Sequence, residues 1–449
     1  MKSRFTERNQ PVSDHFLTRN IPSNREERRT VSLQEYVSRG GYETLKLSLL
    51  KKPEELVEIV KAAELRGRGG AGFPCGVKWT FLPEPDGETR YLCINCDEAE
   101  PGTFKDRLLV DFDPHSVIEG IAIACYACKL DTAFFFIRGE WEEQAKIMQR
   151  AIDEAYEYGI FGSQGILKGS SDFSIECIMH RGAGAYICGE ETALLEAVEG
   201  KRGWPRIKPP FPAVSGLFGR PTIINNVETL AAVPLIIEHG AEWWKSFGCE
   251  STIGEPASFG LKLMGVSGHV NNPDVFEVPL GITLRSLIED HAGGMKNGRA
   301  FKGAIAGGVS MGILGPDQFD AGMDFDIGVK YDVMGLGTAC PTVFDEDTDM
   351  VAVARNIARF FKNESCGQCT PCREGVDWIY KLLCRIESGE GSMDDLDQVL
   401  EVAGSMGIIP GTTICGLSDG NNWAVRTIVN KYRSEFEARC KPYMVAVTP

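Results

Sequence analysis

The chain has 449 residues, 43% of them apolar, enough for two to four domains with sizeable cores. A net charge of −16 argues against nucleic-acid binding, which needs Lys and Arg clustered on phosphates. Fifteen cysteines, an odd number, come with no apolar signal-type N-terminus, and no apolar stretch nears the roughly 20 residues that cross a bilayer. These features argue against a disulfide framework, and the expected setting is the reducing cytoplasm, with any membrane reached through partners.

Residues 1–30 are polar, with a mixed charge run REERR at 25–29, and predict a partner-wrapping arm or a solvated tail. Residues 33–66 carry helical spacing, clearest in LVEIVKAAEL at 56–65, and a glycine-rich loop follows at 67–76. Alternation then sets in. YLCIN (91–95), AFFFI (133–137) and FSIECIMH (173–180) predict strands, and 115–130 and 142–159 predict helices. Such alternation implies a layered α/β unit with a mainly parallel sheet, whose ligands sit beyond the carboxyl ends of the strands. Residues 205–222 are rich in Pro and Gly, and helical pattern returns at 227–247. From about 258 to 340 short β-type segments with one helix near 283–291 resemble a small β-grasp unit. From 349 onward four amphipathic segments predict a small helical bundle.

Three segments carry polar chemistry. In RGRGGAGFPCGVKW (66–79), Gly67, Gly69, Gly70 and Gly72 would let backbone N–H groups approach a phosphate, and Arg68 and Lys78 would add positive charge; a plain tight turn is the alternative. In NCDEAEPGTFKDR (95–107), Asn95, Asp97, Glu98 and Glu100 stand just past a strand, suited to flavin hydroxyls or a nicotinamide amide, or to a solvated acidic turn. HRGAGAYICGEETALLEAVEG (180–200) is strand, glycine loop and helix. Gly182, Gly184 and Gly189 allow close approach. Glu190 and Glu191 begin the helix, where its dipole favours acids or a bound phosphate, and capping alone would also explain them. Tyr186 would either stack on a planar ring or pack in a core.

The cysteines are more decisive. ESCGQCTPC (364–372) places Cys366, Cys369 and Cys372 in a C-x2-C-x2-C run, enough for three corners of one iron–sulfur cube. The run falls between the first and second bundle helices, and Cys415 falls between the third and fourth, so both loops can meet at one end as a four-ligand set. Cys93/Cys96 and Cys125/Cys128 are expected to be buried small hydrophobes. The six His show no ligand spacing, which leaves a metal hydrolase without a site.

Together these stretches, with KPPFPA (208–213) and NNVETL (225–230), resemble the NADH-binding flavoprotein subunit of bacterial complex I, the F subunit of NADH-quinone oxidoreductase. The resemblance runs from about residue 35 to 435. It implies a polar arm (1–34), a Rossmann-like α/β FMN- and NADH-binding domain (35–250), a β-grasp domain (251–342) and a four-helix bundle holding a 4Fe–4S cluster (343–449). It places Gly67, Arg68, Gly69, Lys78, Asn95, Asp97, Gly189, Asn225 and Asn226 on FMN. It places Phe73, Phe81, Glu100, Tyr186, Glu190, Glu191, Lys208 and Phe211 on NADH, with Glu100 at the reacting nicotinamide end and Glu191 facing the adenosine ribose. Cys366, Cys369, Cys372 and Cys415 would hold the cluster. The implied partners are a small 2Fe–2S subunit of E type and a large iron–sulfur subunit of G type, on the cytoplasmic peripheral arm of a membrane-bound complex. The same module serves as the diaphorase of soluble NAD-linked hydrogenases or formate dehydrogenases; the lack of extra ferredoxin-like domains favours the complex I form. A structural cluster-bearing scaffold is the non-enzymatic alternative. Two departures stand out: Cys75 and Cys96 would put thiols near the flavin, and GWPRI (203–207) alters the loop before KPPFPA.

Overall fold

The computed structural model describes residues 15–169, 173–254 and 256–443. Helix α1 (Pro53–Ala62) leads into a sheet of strands β1 (Tyr91–Cys96), β2 (Thr132–Ile137), β3 (Glu176–Arg181) and β4 (Thr222–Asn226). All pair in parallel in the order β3-β2-β1-β4, joined by helices α2 (Pro114–Cys128), α3 (Glu142–Tyr158) and α4 (Glu191–Val198), and β4 runs on into α5 (Val227–His239).

The strands alternate between two cores. Leu92, Ile94, Cys96, Ala133, Phe135 and Ile137 face one way, into a core shared with α1, α2, α3 and α5. Cys93, Phe136 and Ile224 face the other way, into a core shared with α4 and the C-terminal bundle. Burial on both faces is why these strands read as near-continuous apolar runs. Helix α2 is buried on nearly all sides, which explains its lack of a polar face.

A second sheet holds β5 (Leu261–Gly268), β6 (Asp274–Pro279), β7 (Phe301–Ile305), β8 (Ile313–Leu314) and β9 (Thr342–Asp345) in the order β8-β7-β9-β5-β6. Its two central strands β5 and β9 are parallel and the other pairings antiparallel, the β-grasp arrangement. The bundle comprises α6 (Met350–Glu364), α7 (Thr370–Glu387), α8 (Met393–Ser405) and α9 (Leu417–Lys431). Each buries one stripe, among them Val351, Ala354 and Phe361 from α6 and Val376, Ile379 and Leu383 from α7. Asp349 caps α6 through the N–H of Val351 (3.0 Å), and Ser392 with Asp395 forms a capping box on α8.

Two expectations change. The helical stretch 33–66 is three short helices, and the last bundle segment breaks at Tyr432 into α9 and a short turn. The polar arm is no solvated tail where it is described; residues 1–14 lie outside the described residues. Leu17, Ile21 and Val31 are buried in the first core. Glu277 on β6 accepts the N–H groups of Phe16, Leu17 and Thr18 at 2.9 Å each, and Arg28 forks onto Asp274 at 3.0 and 2.8 Å. The segment is a strap binding the α/β unit to the β-grasp sheet. Its sparse apolar residues hid this, because charge-assisted bonds do much of the holding.

Candidate functional site

The four cysteines come together as their loop positions require. Cys366, Cys369, Cys372 and Cys415 line one small cavity with Ser365, Gln368, Thr413, Ile414 and Leu417. Cys369 sits at the N-cap of α7 and Cys372 in its first turn, so two ligands are aimed by one helix start; Cys415 precedes α9. The Ile414 N–H donates to Cys369 Sγ at 3.3 Å, and Ser365 Oγ lies 3.4 Å from Cys372 Sγ. Burial pushes the Cys415 thiol up to about 12, a cost that metal ligation removes by keeping sulfur as thiolate beside cationic iron. Among the described residues no three His, Cys, Asp or Glu side chains are close enough to share one metal ion. A 4Fe–4S cube sets each thiolate on its own iron, so its ligands stand further apart than those of a single zinc. An all-sulfur set spread around one cavity therefore fits the cluster.

The second site is the cleft beyond the carboxyl ends of β1 and β4. Register places Asn95 opposite Asn226, so both side chains share one level of the sheet. Asn95 Nδ2 donates to the Gly189 carbonyl (2.9 Å) and its Oδ1 accepts the Asp97 N–H (3.1 Å), which ties the second glycine loop to the strand end. In the first loop Gly69 has no room for a side chain, since a Cβ would lie 2.9 Å from the Asn226 Cβ. Among the described residues the N–H groups of Gly69, Gly70 and Ala71 make no hydrogen bond, whereas that of Gly67 donates to the Phe73 carbonyl (2.9 Å). Free N–H groups can bind a phosphate, and the Lys78 ammonium, whose hydrogen-bond partner is the neutral Ile224 carbonyl (3.0 Å) at the end of β4, supplies a positive charge that no carboxylate neutralises through a hydrogen bond. Burial pushes the Asp97 carboxyl up to about 7 despite the attraction of Arg138.

Not every candidate faces this cleft. Arg68 is buried inside the fold: its N–H donates to Thr229 Oγ1 and its guanidinium to the Phe259 carbonyl, both at 2.8 Å, beside the Trp244 ring. The positive charge expected at the phosphate is thus inside the protein. Asn225 is buried too; its Oδ1 accepts the Trp79 indole N–H (3.0 Å) and its Nδ2 meets Cys75 Sγ (3.5 Å). Neighbours on a strand point to opposite faces, so Asn225 and Asn226 cannot both line one cleft. The thiols of Cys75 and Cys96 lie wholly buried in the first core, where burial raises both and keeps them unreactive. Tyr186 packs edge-on against Phe360 of α6, centroids 5.0 Å apart, and its hydroxyl donates to Glu100 Oε2 (2.6 Å). Glu100 also accepts from the Ser310 N–H (2.7 Å) and hydroxyl (2.6 Å); burial raises its pKa while these bonds oppose the rise. Tyr186 is therefore a half-buried side chain held edge-on by the bundle, and Glu100 is a hub joining the second glycine loop to the turn before β8.

The aromatic candidates form an open rim. Phe73, Phe81 and Phe211 are 45%, 51% and 58% exposed, with Phe73 and Phe81 centroids 5.9 Å apart. Lys208 bridges Glu190 Oε1 (3.1 Å) and Glu191 Oε1 (2.7 Å). Glu190 is also the N-cap of α4, accepting the N–H groups of Thr192 (2.8 Å) and Ala193 (2.9 Å). One contact escaped the sequence: the Trp204 indole in GWPRI donates to the Cys366 carbonyl at 3.2 Å, tying that loop to the cysteine run. An exposed Trp between Gly203 and Pro205 offered no distinguishing signal.

A glycine-loop cleft at the end of a parallel sheet and a four-thiol cavity together fit a redox protein with two cofactors. Residues 60–235 match the model of the Nuo51 FMN-binding domain, residues 263–314 that of the SLBB domain, and residues 352–439 that of the NADH-ubiquinone oxidoreductase-F iron-sulfur binding region. The second F subunit of NADH-quinone oxidoreductase from Rhizobium meliloti (strain 1021) is 49% identical over 407 residues, 90% of this chain and 94% of that protein. The mitochondrial NADH dehydrogenase [ubiquinone] flavoprotein 1 of Dictyostelium discoideum is 44% identical over 419 residues, 92% of this chain and 85% of that one. Among solved structures, an NAD+-reducing [NiFe]-hydrogenase in the air-oxidized state superposes with a TM-score of 0.79 at 33% identity, over 94% of this chain and 68% of the other. The chain belongs to the family of NADH-quinone oxidoreductase F subunits, with an FMN-binding domain and an iron–sulfur region.

Proposed function

We propose that this chain is the NADH-oxidising entry subunit of a respiratory NADH:quinone oxidoreductase. FMN, when bound, accepts hydride from NADH, and the 4Fe–4S cluster carries single electrons onward. The chain's own residues bind and orient. Gly69, Gly70 and Ala71 with Lys78 hold the FMN phosphate; Asn95, Asp97, Gly189 and Asn226 hold its polar chain. Phe73, Phe81 and Phe211 cover the adenine, and Glu191 rejects a 2′-phosphate. Glu100 sits at the nicotinamide end as a fixed hydrogen-bond hub, with no role as base. The domain divisions at 34, 250 and 342, and partners of the E and G subunit types, are part of the same proposal. No helix among the described residues is long and apolar enough to cross a membrane, so the proposal attaches the chain to one only through such partners.

The observation that carries it is the second glycine loop. It touches Asn95 through Gly189, while Tyr186 in the same loop packs on α6, the helix leading into the cysteine run. One short segment thus spans both cofactor sites. The superposition on the hydrogenase supports a second assembly, in which the same module is a soluble diaphorase. Anaerobic titration of the cofactor-replete protein with NADH and, separately, NADPH tests the first step. Flavin bleaching with NADH alone, with a low-temperature EPR signal following, is expected; bound FMN that neither nucleotide bleaches would overturn it.

A further inference from the structure

Asn226 ends β4 and caps α5, and its amide is almost fully used within the protein. Its Oδ1 accepts the Glu228 N–H (3.0 Å) and lies 3.4 Å from Lys105 Nζ; its Nδ2 donates to Asp106 Oδ2 (2.7 Å). An oxygen facing two donors and a nitrogen facing a carboxylate leave no freedom to flip. One amide N–H remains for a ligand.

Behind Asn226 lies a buried ionic chain that links two of the motif segments, through Lys105, Asp106 and Glu228, to Lys262. Lys105 Nζ is 2.8 Å from both Asp106 Oδ1 and Glu228 Oε2. Glu228 Oε2 is 2.6 Å from Lys262 Nζ, and Glu228 Oε1 accepts the Leu263 N–H at 2.8 Å. Lys105, Glu228 and Lys262 are wholly buried and Asp106 is 3% exposed. Lys262 belongs to β5, so the chain of charges starts in the β-grasp sheet and ends on the amide in the cleft. Buried ion pairs are poor stabilisers, since apolar side chains of like volume serve stability as well or better; their best-attested use is to fix geometry. Lys262 sits in an otherwise apolar strand, where stability alone would favour another Leu or Val.

We propose that Lys262 is a positioning residue for the flavin site: through Glu228 and Lys105 it locks the Asn226 amide, so the β-grasp unit sets a hydrogen bond to FMN without touching it. The inference rests on Asn226 lining the FMN cleft, as proposed above. Removing the ammonium leaves Glu228 with one cation fewer and draws Lys105 toward it, so the Asn226 oxygen loses its 3.4 Å contact with Lys105 and keeps only the Glu228 N–H.

The test compares Lys262→Met, Lys262→Arg, Asn226→Ala and the double variant Lys262→Met/Asn226→Ala in the full-length holoprotein. Readouts are FMN affinity by fluorescence and the flavin midpoint potential by spectroelectrochemistry. Lys262→Met is expected to weaken FMN about tenfold and to shift the two-electron potential by about 30 mV, its tenfold equivalent. Lys262→Arg should restore most of both, and Lys262→Met should add nothing once Asn226 is Ala. Should Lys262→Met not fold, Lys262→Met/Glu228→Gln removes both charges together and is expected to show the same shifts. A change in thermal stability with affinity and potential at wild-type values overturns the inference. If Asn226→Ala also leaves both untouched, it is the placement of Asn226 at the flavin that fails; if Asn226→Ala matters and Lys262→Met does not, only the coupling fails.

Discussion

The cysteine cavity and the glycine-loop cleft are built from equally distinctive motifs, yet they differ in how far a motif specifies its atoms. All four spaced thiols line one cavity. In the cleft Asn95, Asp97, Asn226 and the first glycine loop gather at the strand ends, while Arg68 and Asn225 turn into the core. A thiol at metal spacing has one strong use, and half-buried sulfur satisfies little else. A guanidinium or an amide has many possible internal partners, and a buried one can settle on a few of them, as Arg68 does through Nη2 alone while its Nε and Nη1 stay unmet. Motifs built of amides and cations therefore mark a neighbourhood, whereas motifs built of thiols mark atoms.

Breaking the thiol set should have the largest effect. Cys369→Ala is expected to abolish the cluster's EPR signal and onward electron transfer while NADH still bleaches the flavin; a folded, FMN-replete variant whose flavin no longer bleaches would show that the two sites are not separable. At the rim, Glu191→Ala also releases Lys208 from its 2.7 Å pair. Loss of one negative charge beside the ribose should narrow the NADH-over-NADPH preference in kcat/KM by about tenfold, some 1.4 kcal/mol, and an unchanged ratio would move the adenosine site elsewhere. Arg68→Met sharpens the contrast from the other side. It should cost about 2 kcal/mol in urea unfolding by orphaning the Phe259 carbonyl, with FMN affinity within about twofold of wild type; a large loss of affinity would return that guanidinium to the phosphate.

A further test concerns pH. Burial raises the Asp97 carboxyl to about 7 in the fold, above its ordinary 3.8. The folded apoprotein then binds more protons than the unfolded chain between those values, so this group's stabilisation is complete below pH 4 and is lost as pH rises through 7. Asp97→Asn should flatten the thermal-stability profile of the FMN-free protein across that window, and parallel profiles for the two proteins would sink the assignment.

Most of the elements could be read from period and composition, because buried strands and amphipathic helices differ in pattern. What escaped depends on direction. The two-residue period of β4 already forbade Asn225 and Asn226 from sharing a face, and the same alternation sends Cys96 to the core that holds Leu92 and Ile94, away from Asn95. The burial of Arg68 had no local signal: its partners, Thr229 and Phe259, lie 161 and 191 residues away. Likewise Lys262 on β5 meets Glu228 on α5 only because the β-grasp sheet docks on the α/β unit.

The strap closed by Glu277 has a consequence for biosynthesis. Leu17 finds its carboxylate 260 residues further along the chain. At a synthesis rate of about 5–20 residues per second, the strap emerges some 13–50 s before its anchor exists. During that interval the apolar groups of Leu17, Ile21 and Val31 have only the α/β core to cover, and the ribosome-bound chain is held at one end alone. The joining of the two units thus waits for Glu277, and residues made long before it complete the contact.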